Sequence, residues 1–299
     1  MRDFIRKITP SFLLKWYRQR KKQKVRAELE LQAKNNKGWI KEGLKNQLKS
    51  IGIIKGDTVL VHSAMSKIGF VDGGPKTIVD ALLEIVGSTG HILMPNSPNA
   101  RFQLDYIQEI EGFDVLKDKS KLGAISEYFR QHEDAIRSWH PTEPVSCIGP
   151  DAEYFVGSHF NQITPYNENS PFYRVAERKG KILMIGVTLD NAGTNLHTLE
   201  DAVHDFKYPV YHPNIFETKI IDLKGKEHNV KTKVHDPVWS KKRKCDGLIP
   251  LFEKRNVLEF VKFGNASTLL LDARKMLDVM IEEYNENGVT MYTPNGSKD

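Results

Sequence analysis

The stretch GTNLHTLEDAVH, residues 193–204, carries His197, Glu200, Asp201 and His204. If residues 195–206 are helical, the i, i+3, i+4, i+7 spacing puts all four on one face. Three readings suit them. A neutral imidazole oriented by a carboxylate, Glu200 or Asp190, is a general base near neutral pH. His197 and His204 with one carboxylate would offer metal ligands, but the H-E-x-x-H form of a zinc site is missing, and no metal is expected. A helix-cap histidine satisfied by local polar groups is the plainest alternative.

Something must hold these residues in place. The apolar run KILMIGV (181–187) just before them reads as a buried strand, so His197 follows a strand end by ten residues. Ligands of α/β sheets collect beyond such ends. DTVLVHSAM (57–65) and GHILMPN (90–96) read as two further strands. Between them, FVDGGPKTIVDALLEIVG sets Gly73 and Gly74 ahead of Pro75, which suits a first helical position. Unpaired amides at that helix start would attract an anion, with the Ser63 and Ser66 hydroxyls as added donors. Neither G-x-G-x-x-G nor G-x-x-x-x-G-K-[ST] is present, so Rossmann and Walker sites are not indicated.

Elsewhere, residues 27–53 read as helical up to Gly52, and KLGAISEYFRQH as a helix. FETKIIDLKGKEHNVKTKV reads as two strands around a Lys224-Gly225 turn, and NASTLLLDARKMLDVMIEEYN as one closing helix. The expected fold is a single mixed α/β domain. It has a central sheet flanked by helices, an antiparallel C-terminal hairpin portion and a helical basic N-terminal arm. The divisions are 1–44 for the arm, 45–285 for the domain and 286–299 for a tail.

At 299 residues the chain is long enough for a full core, and no apolar run approaches the length of a membrane span. Only Cys147 and Cys245 occur, which fits a reducing, cytoplasmic setting. The net charge of +6 is local. Residues 1–26 hold ten Lys or Arg against Asp3, a surplus of nine that leaves residues 27–299 at −3. Nucleic acid is therefore not expected as a partner of the body. The arm also carries Phe4, Phe12, Leu13, Leu14, Trp16 and Tyr17 but no secretory h-region. One reading lays it on an anionic membrane surface at the inner face; the other packs it on its own domain or on a second copy in a homo-oligomer.

Seven ordered blocks of this sequence resemble the aminoglycoside 3-N-acetyltransferase family, from about residue 45 to 280. They are VLVHSAMSKIGFVDGGPKTIVDAL, ILMPN, SKLGAISEYFR, RSWHPTEPVSCIGPDA, NSPFYRV, GTNLHTLE and FGNASTLLLDARKMLD. Gly193, Asn195 and Pro144 depart from the family pattern. The resemblance implies catalytic roles for His197, Glu200, Asp190 and Thr194. It implies binding of coenzyme A by Ser63, Gly73, Gly74, Thr77 and His140.

The implied reaction is acetyl transfer from acetyl-CoA to an amine in a ternary complex, with His197 taking the proton of the amine. Glu200 would fix its tautomer, and backbone amides near Ser63 or the Thr194 hydroxyl would serve the oxyanion. A cysteine acyl-enzyme at Cys147 is not expected. The basic arm favours an amino-sugar acceptor on a nucleotide- or lipid-linked precursor of a surface polysaccharide. The alternatives are aminoglycoside resistance and, in another class, an inactive coenzyme A-binding or scaffolding protein.

Overall fold

The computed structural model describes residues 10–35 and 38–297. Its strands, in chain order, are β1 (Thr58–Ser63), β2 (His91–Pro95), β3 (Phe113–Asp114), β4 (Ile136–Arg137) and β5 (Val145–Ile148). They continue with β6 (Lys181–Ile185), β7 (Phe216–Ile221), β8 (Glu227–Thr232), β9 (Leu258–Phe263) and β10 (Ala266–Asp272). The longer helices are α1 (Ser11–Lys34), α2 (Lys41–Ser50), α3 (Pro75–Val86), α4 (Ala124–Arg130), α5 (Pro171–Glu177) and α6 (Ala273–Asn287).

Seven strands form one sheet in the order β4-β5-β2-β1-β6-β10-β9. The three apolar runs make its centre, with β1 parallel to both β2 and β6. Both faces of these strands are covered, which is why they read as continuous apolar segments. Val59 and Val61 face a layer with α2, α3 and α4, while Leu60 and Met184 face α5 and α6. The expected mixed α/β architecture is the observed one. The hairpin is also present: β7 and β8 pair antiparallel, and Gly225 turns the chain at φ 78°. With β3 they form a separate three-stranded sheet.

Four expectations change. The closing helix is shorter, because Ala266–Asp272 is strand β10, paired to β6 on one side and β9 on the other. Asp272 then caps α6, its carboxylate accepting from the Lys275 amide at 3.0 Å. The helical stretch 27–53 is divided, with α1 ending at Lys34 and α2 starting at Lys41. Between them Trp39 pairs with Val71 as an isolated bridge. The domain reaches past both expected limits, since Leu44 is core and Val289, Thr290, Met291 and Tyr292 are buried. A helix through 195–206 does not form either, as described next.

Residues 1–9 of the arm, including Phe4, lie outside the described residues. From Ser11 the arm is helical, and the Gln32 carboxamide near its end accepts from the Phe70 amide at 2.9 Å. No described helix is long and apolar enough to cross a membrane.

Candidate active site

Strand β6 ends at Ile185, and the chain leaves through Gly186 at φ 68° into a run of short turns. A helix at Leu189–Ala192 is followed by a 3-10 turn, Thr194–His197, and a helix, Thr198–Ala202. Local hydrogen bonds set this path. The Thr198 hydroxyl donates to the Asn195 carbonyl at 2.7 Å, and the Asn195 side-chain carboxamide donates through Nδ2 to the Phe172 carbonyl at 3.1 Å. Because the helix stops at Ala202, His204 turns outward. Its side chain is 93% exposed and pairs with Asp205. The metal reading through His197 and His204 therefore fails.

His197 and Glu200 do come together, deep in the protein. The His197 Nδ1–H donates to Glu200 Oε2 at 3.0 Å, and the His235 Nε2–H donates to the same oxygen at 2.7 Å. The Tyr292 hydroxyl donates to Glu200 Oε1 at 2.6 Å. An ionised carboxylate only accepts, so all three partners must be donors. Burial alone would raise the Glu200 pKa, but the His197 and His235 imidazoles hold it below the ordinary carboxylate range. For His197 burial wins, lowering its pKa to about 4 despite the pull of Glu200. The site therefore pairs a charged carboxylate with a neutral imidazole at neutral pH.

The Nε2 atom of that imidazole faces a cleft of about 230 Å³. Arg243 Nη1 donates to it at 2.7 Å, so Nε2 keeps its lone pair and Nδ1 carries the proton. Tyr166 stacks on His197, with ring centres 4.8 Å apart, and stands close to His235 as well. Gln103 ties the wall together, donating to Glu143 at 2.7 Å and to the Tyr166 hydroxyl at 3.2 Å while accepting from the His235 amide. Such an arrangement can accept a proton from a group entering the cleft and steady the resulting imidazolium. His197, Glu200 and His235 also bring three ligand atoms within 4.8 Å of one another. A metal there would have to break both hydrogen bonds to Glu200.

The remaining expected residues divide. Thr194 lines the cleft, as does Asp190. The Asp190 carboxylate, however, accepts from the Asp246 amide at 3.0 Å and does not orient His197; Glu200 does that alone. Ser63, Gly73, Gly74 and Thr77 are not part of the cleft wall. Gly73 and Gly74 adopt φ of 75° and 64° ahead of α3, and the Thr77 hydroxyl donates to the Asp72 carbonyl. His140 is wholly buried, its ring stacked on His159 at 4.6 Å, which sets it in the framework away from the cleft wall.

His235, Tyr292, Tyr166 and Arg243 were missed by sequence reasoning. They converge from three separate stretches of chain, around 166, 235–243 and 292, and no spacing in the sequence announces that. Cys245 also lines the cleft, but burial pushes its thiol up to about 12, so it is not a thiolate nucleophile at neutral pH.

Comparison with known proteins gives the chain a family and a fold. The aminoglycoside 3-N-acetyltransferase family profile matches residues 60–285. The chain is 32% identical over 170 residues to aminoglycoside N(3)-acetyltransferase VIII of Streptomyces fradiae, covering 52% of this chain and 59% of that protein. Two solved structures are also similar. AAC-VIa bound to sisomicin has a TM-score of 0.70 at 28% identity, covering 83% of this chain and 98% of the other. AAC-IIIb in binary complex with CoASH has a TM-score of 0.69 at 23% identity, covering 83% and 97%. With three quarters of its length, residues 60–285, matched by one family profile, the chain belongs to the aminoglycoside 3-N-acetyltransferase family.

Proposed function

We propose that the chain transfers an acetyl group from acetyl-CoA to an amine of an amino sugar, with His197 as general base. The observation that carries this reading is a neutral, buried imidazole whose Nδ1 is tied to a charged carboxylate and whose Nε2 faces a cleft. A protonated amine has no lone pair, so Nε2 must take its proton before attack. Glu200 then favours the imidazolium that forms. The transfer joins the amine nitrogen to the acetyl carbon and breaks the carbon–sulfur bond. Of the two protons an ammonium loses on becoming an amide, the first passes through His197 to solvent and the second goes by way of the same imidazole to the leaving thiolate. Thr194 on the cleft wall is the proposed hydroxyl donor to the developing oxyanion. An inactive scaffold would have no use for this arrangement. Thiol release from acetyl-CoA over a panel of amino sugars and aminoglycosides tests the reading, and release with none of them would end it.

Acetyl-CoA supplies the activated acetyl thioester when bound. The start of α3 fits its phosphates: no side chain caps the first amides, and a Cβ added at Gly74 would meet nothing within 4 Å. Gly73 and Gly74 are the proposed residues there, with Ser63 at the end of the neighbouring strand. Gly74→Ala should raise the acetyl-CoA KM several-fold and leave the acceptor KM nearly unchanged. The added methyl strains a positive-φ backbone, which costs about 1–2 kcal/mol and leaves the protein folded. An unchanged acetyl-CoA KM would move the phosphates elsewhere.

The acceptor is the open half of this proposal. The match spans 59–60% of the length of the first curated relatives, whose names point to aminoglycosides, and these names support that alternative over a polysaccharide precursor. The arm supports a setting at an anionic membrane surface. Phe12, Trp16 and Tyr17 are 66%, 51% and 61% exposed on α1, directly before a basic stretch holding Arg20, Lys21, Lys22, Lys24 and Arg26. Like charges oppose pairing with a second copy through this helix, while aromatic residues beside cations suit a lipid headgroup layer. Co-sedimentation with anionic vesicles should fall as salt rises and should weaken in a Phe12→Ser, Trp16→Ser variant even at low salt. Full recovery in the supernatant at low salt would leave the arm a packing or oligomerisation helix.

A further inference from the structure

We infer that the acceptor amine sits on a sugar that also bears an anionic group, a phosphate or a carboxylate, and that Arg243 reads that group. This rests on N-acetyl transfer at His197 and narrows its substrate class. The Arg243 guanidinium is half-buried on the cleft wall, where Nε donates to the Ser240 carbonyl at 3.1 Å and Nη1 to His197 Nε2 at 2.7 Å. Both partners are neutral. Among the described residues it forms no ion pair with any carboxylate.

Arg101 pairs with Glu109, while the Asp190 carboxylate on the same wall accepts the Asp246 amide and has no cationic partner among the described residues. Glu143 is buried against Gln103, and burial raises its pKa, which disfavours its charge. Lys241 stands at the rim, its ammonium 5.3 Å from the centre of the Phe102 ring. One unpaired cation therefore sits on the atom that must receive the proton. A polycationic acceptor offers this guanidinium no partner, whatever it gains from Asp190 on the wall and from the Glu200 carboxylate behind His197. An acceptor with its own anion removes the conflict: the anion takes the guanidinium in a two-pronged pair and draws Nη1 off Nε2. The lone pair of His197 is then free for the amine. The phosphates of coenzyme A do not fill this role, because the whole pantetheine arm separates them from a thioester placed beside His197.

The test uses the full chain, acetyl-CoA and four amines: glucosamine, glucosamine 6-phosphate, muramic acid and sisomicin. Thiol release should give kcat/KM at least about tenfold higher for the phosphate- or carboxylate-bearing sugar than for glucosamine, with sisomicin poorest. The two anionic amines distinguish a phosphate reader from a carboxylate reader. In Arg243→Gln that preference should collapse through KM, and the preferred anionic amine should no longer raise the melting temperature as it does for the unaltered protein. Arg243→Lys should recover part of it, since charge is kept but the fork is lost. An equal fall in kcat for every acceptor in Arg243→Gln would overturn the inference and make Arg243 an oxyanion donor. Sisomicin as the best acceptor would also overturn it. Thiol release with none of the four, nor with the wider panel above, would overturn the transferase reading and this inference together.

Discussion

Replacing His197 by Asn should lower turnover by about 10²–10⁴, the usual loss when a general base is removed. Asparagine is close to histidine in size, and its amide can still donate to Glu200, so the buried carboxylate keeps a partner and the fold survives. It has no basic nitrogen for the proton of the amine. Acetyl-CoA binding should persist, because the proposed phosphate site at α3 lies off the cleft wall. Rates by thiol release and binding by calorimetry decide the matter together. A loss below tenfold would remove His197 from the chemistry. Loss of binding with unchanged thermal stability would instead make it a cofactor contact.

Acidification should destabilise the protein through its buried histidines, with Asp201, raised to about 6 by burial, binding a proton in the folded state and offsetting a small part of the loss. His62, His140, His159 and His197 are buried, and burial lowers all four: His62 and His197 to about 4, His159 to about 3, and His140 well below the usual histidine value. Unfolded histidine binds a proton near pH 6.5, while these folded groups do not. The unfolded state therefore binds more protons below pH 6.5, so the stability they contribute is present above that value and lost as pH falls toward 4. At pH 5.5 the four together cost about 5–6 kcal/mol, a large part of a total of about 5–15 kcal/mol. The depressed Glu200 pKa acts only below the ordinary glutamate value and stays outside this window. Urea midpoints at pH 7.5 and 5.5 measure the effect. Equal midpoints would mean that these histidines are protonated or solvated in the folded protein.

The sequence made the centre of this structure readable because its signals are local. The β1, β2 and β6 runs are continuous and apolar, Gly74-Pro75 marks the start of α3, and Lys224-Gly225 marks the hairpin turn. Segment 266–277 misled because Leu269, Leu270, Ala273 and Met276 fit a helical stripe as well as a buried strand followed by a helix. Pairing to strands on both sides decided for β10, and no local window contains those strands. The His197–Glu200 pair was legible because three residues separate its members. His235 and Tyr292 reach Glu200 across 35 and 92 residues, and the tertiary packing that delivers them leaves no trace in spacing. His140 matched a sequence pattern, yet its burial against His159 sets it in the framework, while Asp190 reaches the cleft wall without touching His197.

The bond from Tyr292 to Glu200 also gives the site an order in time. A chain is made from its N-terminus, and domains fold as units once enough sequence has emerged. His197, Glu200, His235 and Arg243 all leave the ribosome before Tyr292, so the carboxylate waits for one of its three donors while most of the protein is already synthesised. Val289, Thr290 and Met291 carry that hydroxyl inward as they become buried. Completion of the base is thereby tied to the seating of the final segment, and a nascent or C-terminally clipped chain holds its histidine over an incompletely braced carboxylate.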